Sequence, residues 1–364
     1  MSGHFLVRLA NLNLVDYRNV ETARLTFDKD RIFFFGSNGQ GKTNLLEAIG
    51  LAHALRSFRT SDTRNLIRWD RPRAEILFRF TGGGTGEMEA FVGLARSGSK
   101  EVSIDGDKVK RLGDFMGRFP SVVFCSEDLR LPRGGPGDRR KFIDLLFSSS
   151  DENYLDSLRR YHKALRFRNA LLRKDGDDME LDAFEREMSL SAAQLVIARA
   201  KSLASLGKFF VKRYGSISEG SEEPDLRYVA DSEIEEADEF ARLLRDGRGR
   251  DRLAKSTQRG PHRDDFVFSL DARDARNFAS EGQQRSLVLA LRFGQADYLR
   301  NCLGVAPLIL VDDVLGELDR NRRLNFCSFL DEDSQVFATG TEPFSNESSE
   351  WETYETNDGC FRKL

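Results

Sequence analysis

Eight residues constrain the fold of this chain more than any other feature: Gly36-Ser37-Asn38-Gly39-Gln40-Gly41-Lys42-Thr43. They follow a continuous apolar run, Ile32-Phe33-Phe34-Phe35, which reads as a strand buried on both faces. They precede Asn44-Leu45-Leu46-Glu47-Ala48-Ile49, which opens a helix. GxxxxGK[ST] in that setting is a phosphate-binding loop. Glycines permit the tight turn and a close backbone approach, and backbone N–H groups at the helix N-terminus hold the anion. Lys42 is expected to reach the β and γ phosphates and Thr43 to ligate Mg²⁺. The pattern predicts an α/β core that takes ATP and Mg²⁺, with residues Gly36, Ser37, Asn38, Gly39, Gln40, Gly41, Lys42 and Thr43 on the nucleotide.

A second apolar run, Leu308-Ile309-Leu310-Val311, ends in Asp312-Asp313. An Asp at such a strand end holds Mg²⁺ near the phosphates. Asp312 is assigned that role with Thr43, and Asp313 is expected to orient or deprotonate the attacking water. Lys42, Asp312 and Asp313 form the expected catalytic set. Asp is one methylene shorter than the Glu usual in fast ATPases of this kind, so turnover should be slow, not well above ~1 per second. Ser280-Glu281-Gly282-Gln283-Gln284 precedes an apolar helix. It fits either a plain helix cap or an anion site. It lies about 30 residues before the Asp-Asp strand. That is the order of P-loop, signature and Walker B in ABC-type ATPases. Gly316-Glu317-Leu318-Asp319 then falls at the D-loop position, with Asp319 as its acidic residue.

Around these motifs the texture changes twice. Alternating residues at Phe5–Leu14 and apolar runs over 74–124 predict strands. From about 138 to 215 helical periodicity takes over. Tyr154, Leu158, Tyr161, Leu165 and Leu172 fall on one face of a first helix. Arg159, Arg160, Lys163, Arg166, Arg168, Arg173 and Lys174 crowd its other faces. A second helix is expected over about 181–214. Ten acidic residues between 219 and 239 read as a solvated connector or an acidic edge. After 257 the strand and helix pattern returns. The expected division is 1–137, 138–256 and 257–364, an α/β core split by a helical insertion.

The chain of 364 residues carries 13 Lys and 43 Arg against 59 acidic residues, for a net charge of −3. Net charge therefore excludes a bulk polycation but not a local basic face. The four Cys and four His are scattered, which gives no disulfide framework and no zinc constellation. No apolar run of 18 residues and no leader-like start are seen, so a cytoplasmic protein with no membrane association is expected.

Further segments carry a family resemblance. They are Ser57-Phe58-Arg59-Thr60, Gly134-Gly135-Pro136-Gly137-Asp138-Arg139-Arg140, Tyr161-His162-Lys163-Ala164-Leu165-Arg166 and Thr257-Gln258-Arg259-Gly260-Pro261-His262-Arg263-Asp264-Asp265. With the motifs above, the chain resembles the RecF family of bacterial recombination mediators from its first strand to about residue 342. The resemblance implies an ABC-type head like those of Rad50 and SMC proteins, with an α-helical inserted lobe and no long coiled coil. It implies ATP-dependent homodimerisation, with Ser280, Gly282 and Gln283 of one copy on the ATP of the other. It implies slow, DNA-dependent ATP hydrolysis, and binding to single-stranded DNA and gapped duplex at single-strand/double-strand junctions. It further implies RecO and RecR as partners, RecA loading as the indirect outcome, and a nucleoid-associated role in DNA repair, recombination, replication and the SOS response.

Several positions depart from the family pattern. Glu281 replaces the Gln commonly found in the signature, and a carboxylate there is compatible with a phosphate only if it points away. Gly316 replaces a Ser, and Ser126 a Pro. No Gln suits a Q-loop, and Thr339-Gly340-Thr341 stands where transporters carry a switch His. A transporter ATPase subunit, the alternative reading, predicts both missing residues. Arg59 fits a phosphate or DNA contact as well as a surface ion pair, and Arg139 and Arg140 fit either DNA contacts or internal positioning. The basic helix with Arg159, Arg160, Lys163 and Arg166 is the main DNA candidate. The 28 Phe sit in strands and apolar stripes rather than among basic residues, as stacking platforms require.

Overall fold

The computed structural model describes residues 7–82, 86–218, 222–234, 236–314, 326–343 and 350–364. Two compact units divide the chain. The first is Met1–Asp128 with Ala296–Leu364, and the second is Leu129–Gln295.

The first unit begins with β1 (Val7–Tyr17), β2 (Val20–Thr26), β3 (Arg31–Phe35) and α1 (Lys42–Ala54). β4 (Arg73–Gly82), β5 (Glu87–Ala95), β6 (Lys100–Ile104), β7 (Asp107–Lys108) and β8 (Ser121–Cys125) follow. After the second unit come β12 (Leu308–Asp312), β13 (Val336–Gly340), β14 (Trp351–Asn357) and β15 (Cys360–Lys363). Six strands form an antiparallel sheet in the order β2-β1-β4-β5-β6-β7. Six others form the sheet β15-β14-β3-β13-β12-β8, parallel except for the edge strand β15. The apolar runs 32–35 and 308–311 are central in this second sheet. Their continuous apolarity has the expected cause, since both faces are covered. Phe34, Phe337, Tyr354, Leu45, Ile49 and Leu310 join one buried cluster that includes residues of both sheets and α1.

Strand order positions the chemistry. β13 lies between β3 and β12, and all three are parallel. The segments that leave their C-terminal ends therefore share one edge. These are the P-loop, Asp312-Asp313 and Thr339-Gly340-Thr341.

The second unit contains α2 (Arg130–Arg133), α3 (Pro136–Ser150), α4 (Glu152–Arg173), α5 (Asp178–Ile217) and β9 (Pro224–Val229). It continues through α6 (Ala237–Ala254), β10 (Asp265–Leu270), β11 (Arg273–Asp274) and α7 (Ala275–Phe278). The helix α8 (Glu281–Leu303) starts in this unit and ends in the first. No long coiled coil occurs among the described residues.

One expectation is corrected here and two are refined. The compact units do not divide at 137 and 256, because β10 pairs with β9 and packs against α3, which ties residues 265–270 to the helical region. Within the acidic stretch, Pro224–Val229 is an edge strand of the sheet β11-β10-β9. Arg168, placed among the outward cations, is fully buried. It lies on the far side of α4 from Arg159 and Lys163, where Glu185 and Asp251 pair with it at 2.9 and 2.6 Å. A buried arginine needs such partners.

Candidate functional site

The P-loop is shaped by contacts that only the folded chain makes. Gly36 has φ +150°, and a Cβ there would sit 2.3 Å from the carbonyl oxygen of Thr356 on β14. The loop is held on its other side by the β14–β15 turn. The Gly359 N–H donates to the Gln40 carbonyl at 2.8 Å, and the Asp358 N–H donates to Gln40 Oε1 at 2.7 Å. Asn19 Nδ2 also donates to the Gln40 carbonyl at 3.1 Å, and Asn44 Nδ2 donates to Asn19 Oδ1 at 2.9 Å. Asn19, Gln40 and the C-terminal hairpin thus fix the loop backbone. Sequence reasoning assigned the hairpin no role. Its signal was present: Asp358-Gly359 separates two short strands, and both turn residues have positive φ, the signature of a two-residue hairpin turn.

Lys42 is 3% exposed and donates to the carbonyls of Gly36 at 2.6 Å and Ser37 at 3.0 Å. Its ammonium carries three donors, so one remains for an incoming anion. Thr43 Oγ1 donates to Asp312 Oδ1 at 2.8 Å. The two residues assigned to the metal from sequence are therefore brought together from 269 positions apart. Asp313 has φ +57°, and its N–H donates to Thr339 Oγ1 at 2.8 Å. The Thr339 hydroxyl lies within 3.2 Å of Asp312 Oδ1 and 3.4 Å of Asp313 Oδ1, and its single proton serves one of them at a time. Thr339 occupies the switch position and ties the two carboxylates together.

Burial raises the Asp312 carboxyl above its ordinary value, and the neighbouring Asp313 adds to this. The Thr43 and Thr339 hydroxyls and the Arg59 guanidinium pull it back. The ionised carboxylate is thus penalised in the nucleotide-free fold relative to the unfolded chain. Asp312→Asn removes that penalty. The variant is expected to melt at a higher temperature than the parent at pH 8 without nucleotide. The difference should vanish as pH falls below the unfolded carboxyl value near 4, where both states of the parent are protonated. A scanning-calorimetry series without Mg²⁺ checks this, and a variant less stable than the parent at pH 8 would refute it.

Behind the loop, Glu47 is fully buried and receives Arg18 at 2.8 and 2.7 Å, the Ser57 hydroxyl, and Arg59 at 3.6 Å. Arg59 also donates to Asn44 Oδ1 at 2.8 Å. Its side chain is 40% exposed, so it is steered by α1 yet open to a ligand.

The signature residues open α8. The Ser280 N–H donates to Gln283 Oε1 at 2.6 Å, and the Gln283 N–H donates to Ser280 Oγ at 3.2 Å. This reciprocal pair is a capping box, so the cap reading is realised. Gly282 is exposed. Glu281 is drawn along the helix to Arg285 at 3.0 Å, one turn away from the N-terminus. Asp319 lies outside the described residues.

The DNA candidates separate. Arg139 is buried and gives Nε and Nη2 to Asp265 at 2.7 and 2.8 Å. Its Nη1 goes to the carbonyls of Leu131 and Gly134. It positions α3 internally and offers nothing to phosphate, which corrects the DNA reading of this residue. Arg140 donates to the Asp264 carbonyl at 2.7 Å and is half-buried. Arg159, Arg160, Lys163 and Arg166 are all exposed on α4. Asp331 and Asp333 pair with Arg300 at 2.8 Å each.

The comparisons with known proteins agree with this geometry. The chain matches the family described as RecF/RecN/SMC N terminal domain over residues 8–356. It is 35% identical over 337 residues to the DNA replication and repair protein RecF of Leptospira interrogans, covering 92% of each chain. It is 32% identical over 353 residues to RecF of Clostridium perfringens, covering 90% of this chain and 97% of that one. A solved structure of the recombination mediator protein RecF with ATP in the RecFOR pathway is 30% identical, with a TM-score of 0.92 over 99% of this chain and 98% of that one. The Smc head domain of Pyrococcus furiosus is similar in fold alone, at 15% identity and a TM-score of 0.56 over 99% and 96% of the two chains. The chain belongs to the RecF family of DNA replication and repair proteins, whose fold is the SMC-like, ABC-type P-loop ATPase head with an inserted helical lobe.

Proposed function

We propose that the chain is an ATP-switched DNA clamp of recombinational repair. It binds ATP, dimerises, holds single-stranded DNA and gapped duplex, and hydrolyses ATP slowly and in a DNA-dependent way. The observation that carries the ATPase reading is the Thr43–Asp312 contact at 2.8 Å beneath the P-loop. It joins the phosphate and metal halves of one site. Relatives named RecF and a RecF structure with ATP support the same reading.

A hydroxyl and a carboxylate are hard oxygen donors, and Mg²⁺ is held by one or two protein oxygens with phosphates and water. Thr43 and Asp312 fit that ion, which when bound neutralises phosphate charge. Lys42 and the N–H groups of residues 36–43 hold the phosphates. Asp313 orients the attacking water and takes its proton. Arg59 acts as a phosphate contact rather than a DNA contact, since its charge reaches Asp312. Ser280, Gly282 and Gln283 receive the partner copy's ATP. The outward Glu281–Arg285 pair removes the carboxylate from that N-terminus. Asp319 completes the D-loop.

The partition into an N-terminal head segment (1–137), a helical lobe (138–256) and a C-terminal head segment (257–364) is kept as a functional one. The exposed cations of α4 take the DNA backbone. RecO and RecR are the proposed partners, with RecA loading as the outcome; the RecF structure with ATP, described as in the RecFOR pathway, supports this reading. The site of action is the bacterial nucleoid. No helix among the described residues is long and apolar enough to cross a membrane. A transporter role has no switch His to support it.

Sedimentation velocity tests the switch. Monomer with Mg²⁺-ADP and dimer with Mg²⁺-ATP is the expected result, strengthened by gapped DNA. Monomer in all three conditions would rule out the clamp.

A further inference from the structure

On α4, Arg159, Lys163, Arg166 and Arg173 fall within a sector about 80° wide at 3.6 residues per turn, and Lys174 is the residue that caps the helix C-terminus. The sector lies opposite the buried face that holds Tyr161, Leu165, Arg168 and Leu172. All five are exposed, and among the described residues none of them forms an ion pair. Other arginines of this molecule do meet carboxylates: Arg248 meets Glu185 and Asp182, and Arg300 meets Asp331 and Asp333. Beyond Asp156, α4 carries no acidic residue. Five cations without an ion pair among the described residues, along about 21 Å of helix and its C-cap, fit a polyanion.

Phe167 lies at the edge of this stripe. It follows Lys163 by four residues and Arg160 by seven, so the three share one helix side. Its ring is 44% exposed. It stacks on Phe184 of α5, with centroids 5.3 Å apart and planes 17° apart. One face is therefore packed by Phe184, while 44% of the residue meets solvent. This is the arrangement of aromatic and cationic side chains that the sequence reading did not find. The reason is that apolar periodicity alone does not separate Phe167 from the core positions beside it.

We propose that Phe167 is a stacking platform for an unpaired nucleobase, with the α4 cations holding the adjoining phosphates. A base in a duplex is already stacked on both faces, so this ring selects single-stranded DNA or the unpaired side of a junction. A ring already held by Phe184 loses little freedom on binding, which favours contact. The inference rests on the DNA-binding reading above and adds to it the chemical group recognised.

The test uses the full chain with Mg²⁺-ATP. Fluorescence anisotropy is read on a thymidine oligonucleotide of about 20 nucleotides, an abasic strand of equal length, and a duplex; the length exceeds one single-strand site. Phe167→Ala and Phe167→Leu are both measured, Leu keeping the apolar volume without the ring. Both should weaken thymidine-strand binding by about 10-fold and leave abasic-strand and duplex binding unchanged. Lys163→Ala/Arg166→Ala should weaken all three and flatten the salt dependence. Equal parent affinity for thymidine and abasic strands overturns the proposal, as does a Phe167→Leu variant that binds like the parent. If the parent binds no DNA, the DNA reading itself fails and this inference with it.

Discussion

Lys42→Ala is expected to weaken ATP binding by about 10- to 100-fold. The ammonium is positioned by the Gly36 and Ser37 carbonyls, with its remaining donor free for phosphate. A hydrogen bond to a charged group contributes about 1.5–3 kcal/mol, which is about 10- to 100-fold in affinity. Arginine does not rescue the site, because a planar fork cannot take the place of a compact ammonium buried in the loop. Isothermal titration with Mg²⁺-ATP measures the loss directly. Thermal shift gives an independent readout, since ATP should raise the parent's melting temperature and leave the variant's unmoved. Affinity within about threefold of the parent's, where a single lost charged hydrogen bond already costs more, would show that the loop does not bind phosphate through Lys42.

Arg199→Ala is expected to destabilise the second unit by about 3–5 kcal/mol, the cost of stripping one partner from a buried ionic network. Arg199 is 1% exposed. It donates to Tyr154 at 3.0 Å, to the Pro261 carbonyl at 2.6 Å, to Asp264 at 2.9 Å and to Asp144 at 2.8 Å. Burial lowers its basicity, but Tyr154, Asp144 and Asp264 more than reverse this and raise it well above the ordinary value. Asp264 in turn receives the Tyr228 hydroxyl and the Asp231 N–H. Removal of Arg199 leaves two carboxylates without their cation, one of them fully buried. Arg159→Ala, on the exposed face of α4, serves as control and should change stability by less than about 0.5 kcal/mol. Urea unfolding followed by circular dichroism compares them, and a cost below about 1 kcal/mol for Arg199→Ala would contradict the network's role. The Gly260-Pro261-His262-Arg263-Asp264-Asp265 segment thereby gains a physical meaning. Asp264 joins α5 and β9 through Arg199 and Tyr228, Asp265 holds Arg139, and His262 meets the Tyr161 hydroxyl at 2.6 Å. It is a structural clasp within the second unit.

Much of the catalytic half was legible because its signals are local. A buried strand needs an apolar run, a phosphate loop needs glycines at fixed offsets, and both lie within fifteen consecutive residues, 32–46. The long helices were legible for the same reason, and α5 extends only about three residues beyond each expected end. Charge partners were not legible. Arg159 and Arg168 sit on one helix and look alike in sequence, yet one faces solvent and the other is buried against Glu185 and Asp251. Arg139 and Arg166 differ in the same way: the first is consumed by Asp265, and the second has no ion pair among the described residues.

The sequence by itself determined the nucleotide loop, the Asp-Asp strand, the α/β class with its helical insertion, and the family. Each of these rests on residue type and short-range spacing. Tertiary structure alone decided that Thr43 meets Asp312 across 269 positions, that Thr339 ties the two carboxylates, and that the C-terminal hairpin holds Gln40. It also decided which arginines are left for an anion. Those outcomes depend on strand order and on which carboxylates the fold delivers to each guanidinium. Neither is encoded in the periodicity of a single segment, because a long-range contact is fixed by the packing of elements distant in sequence.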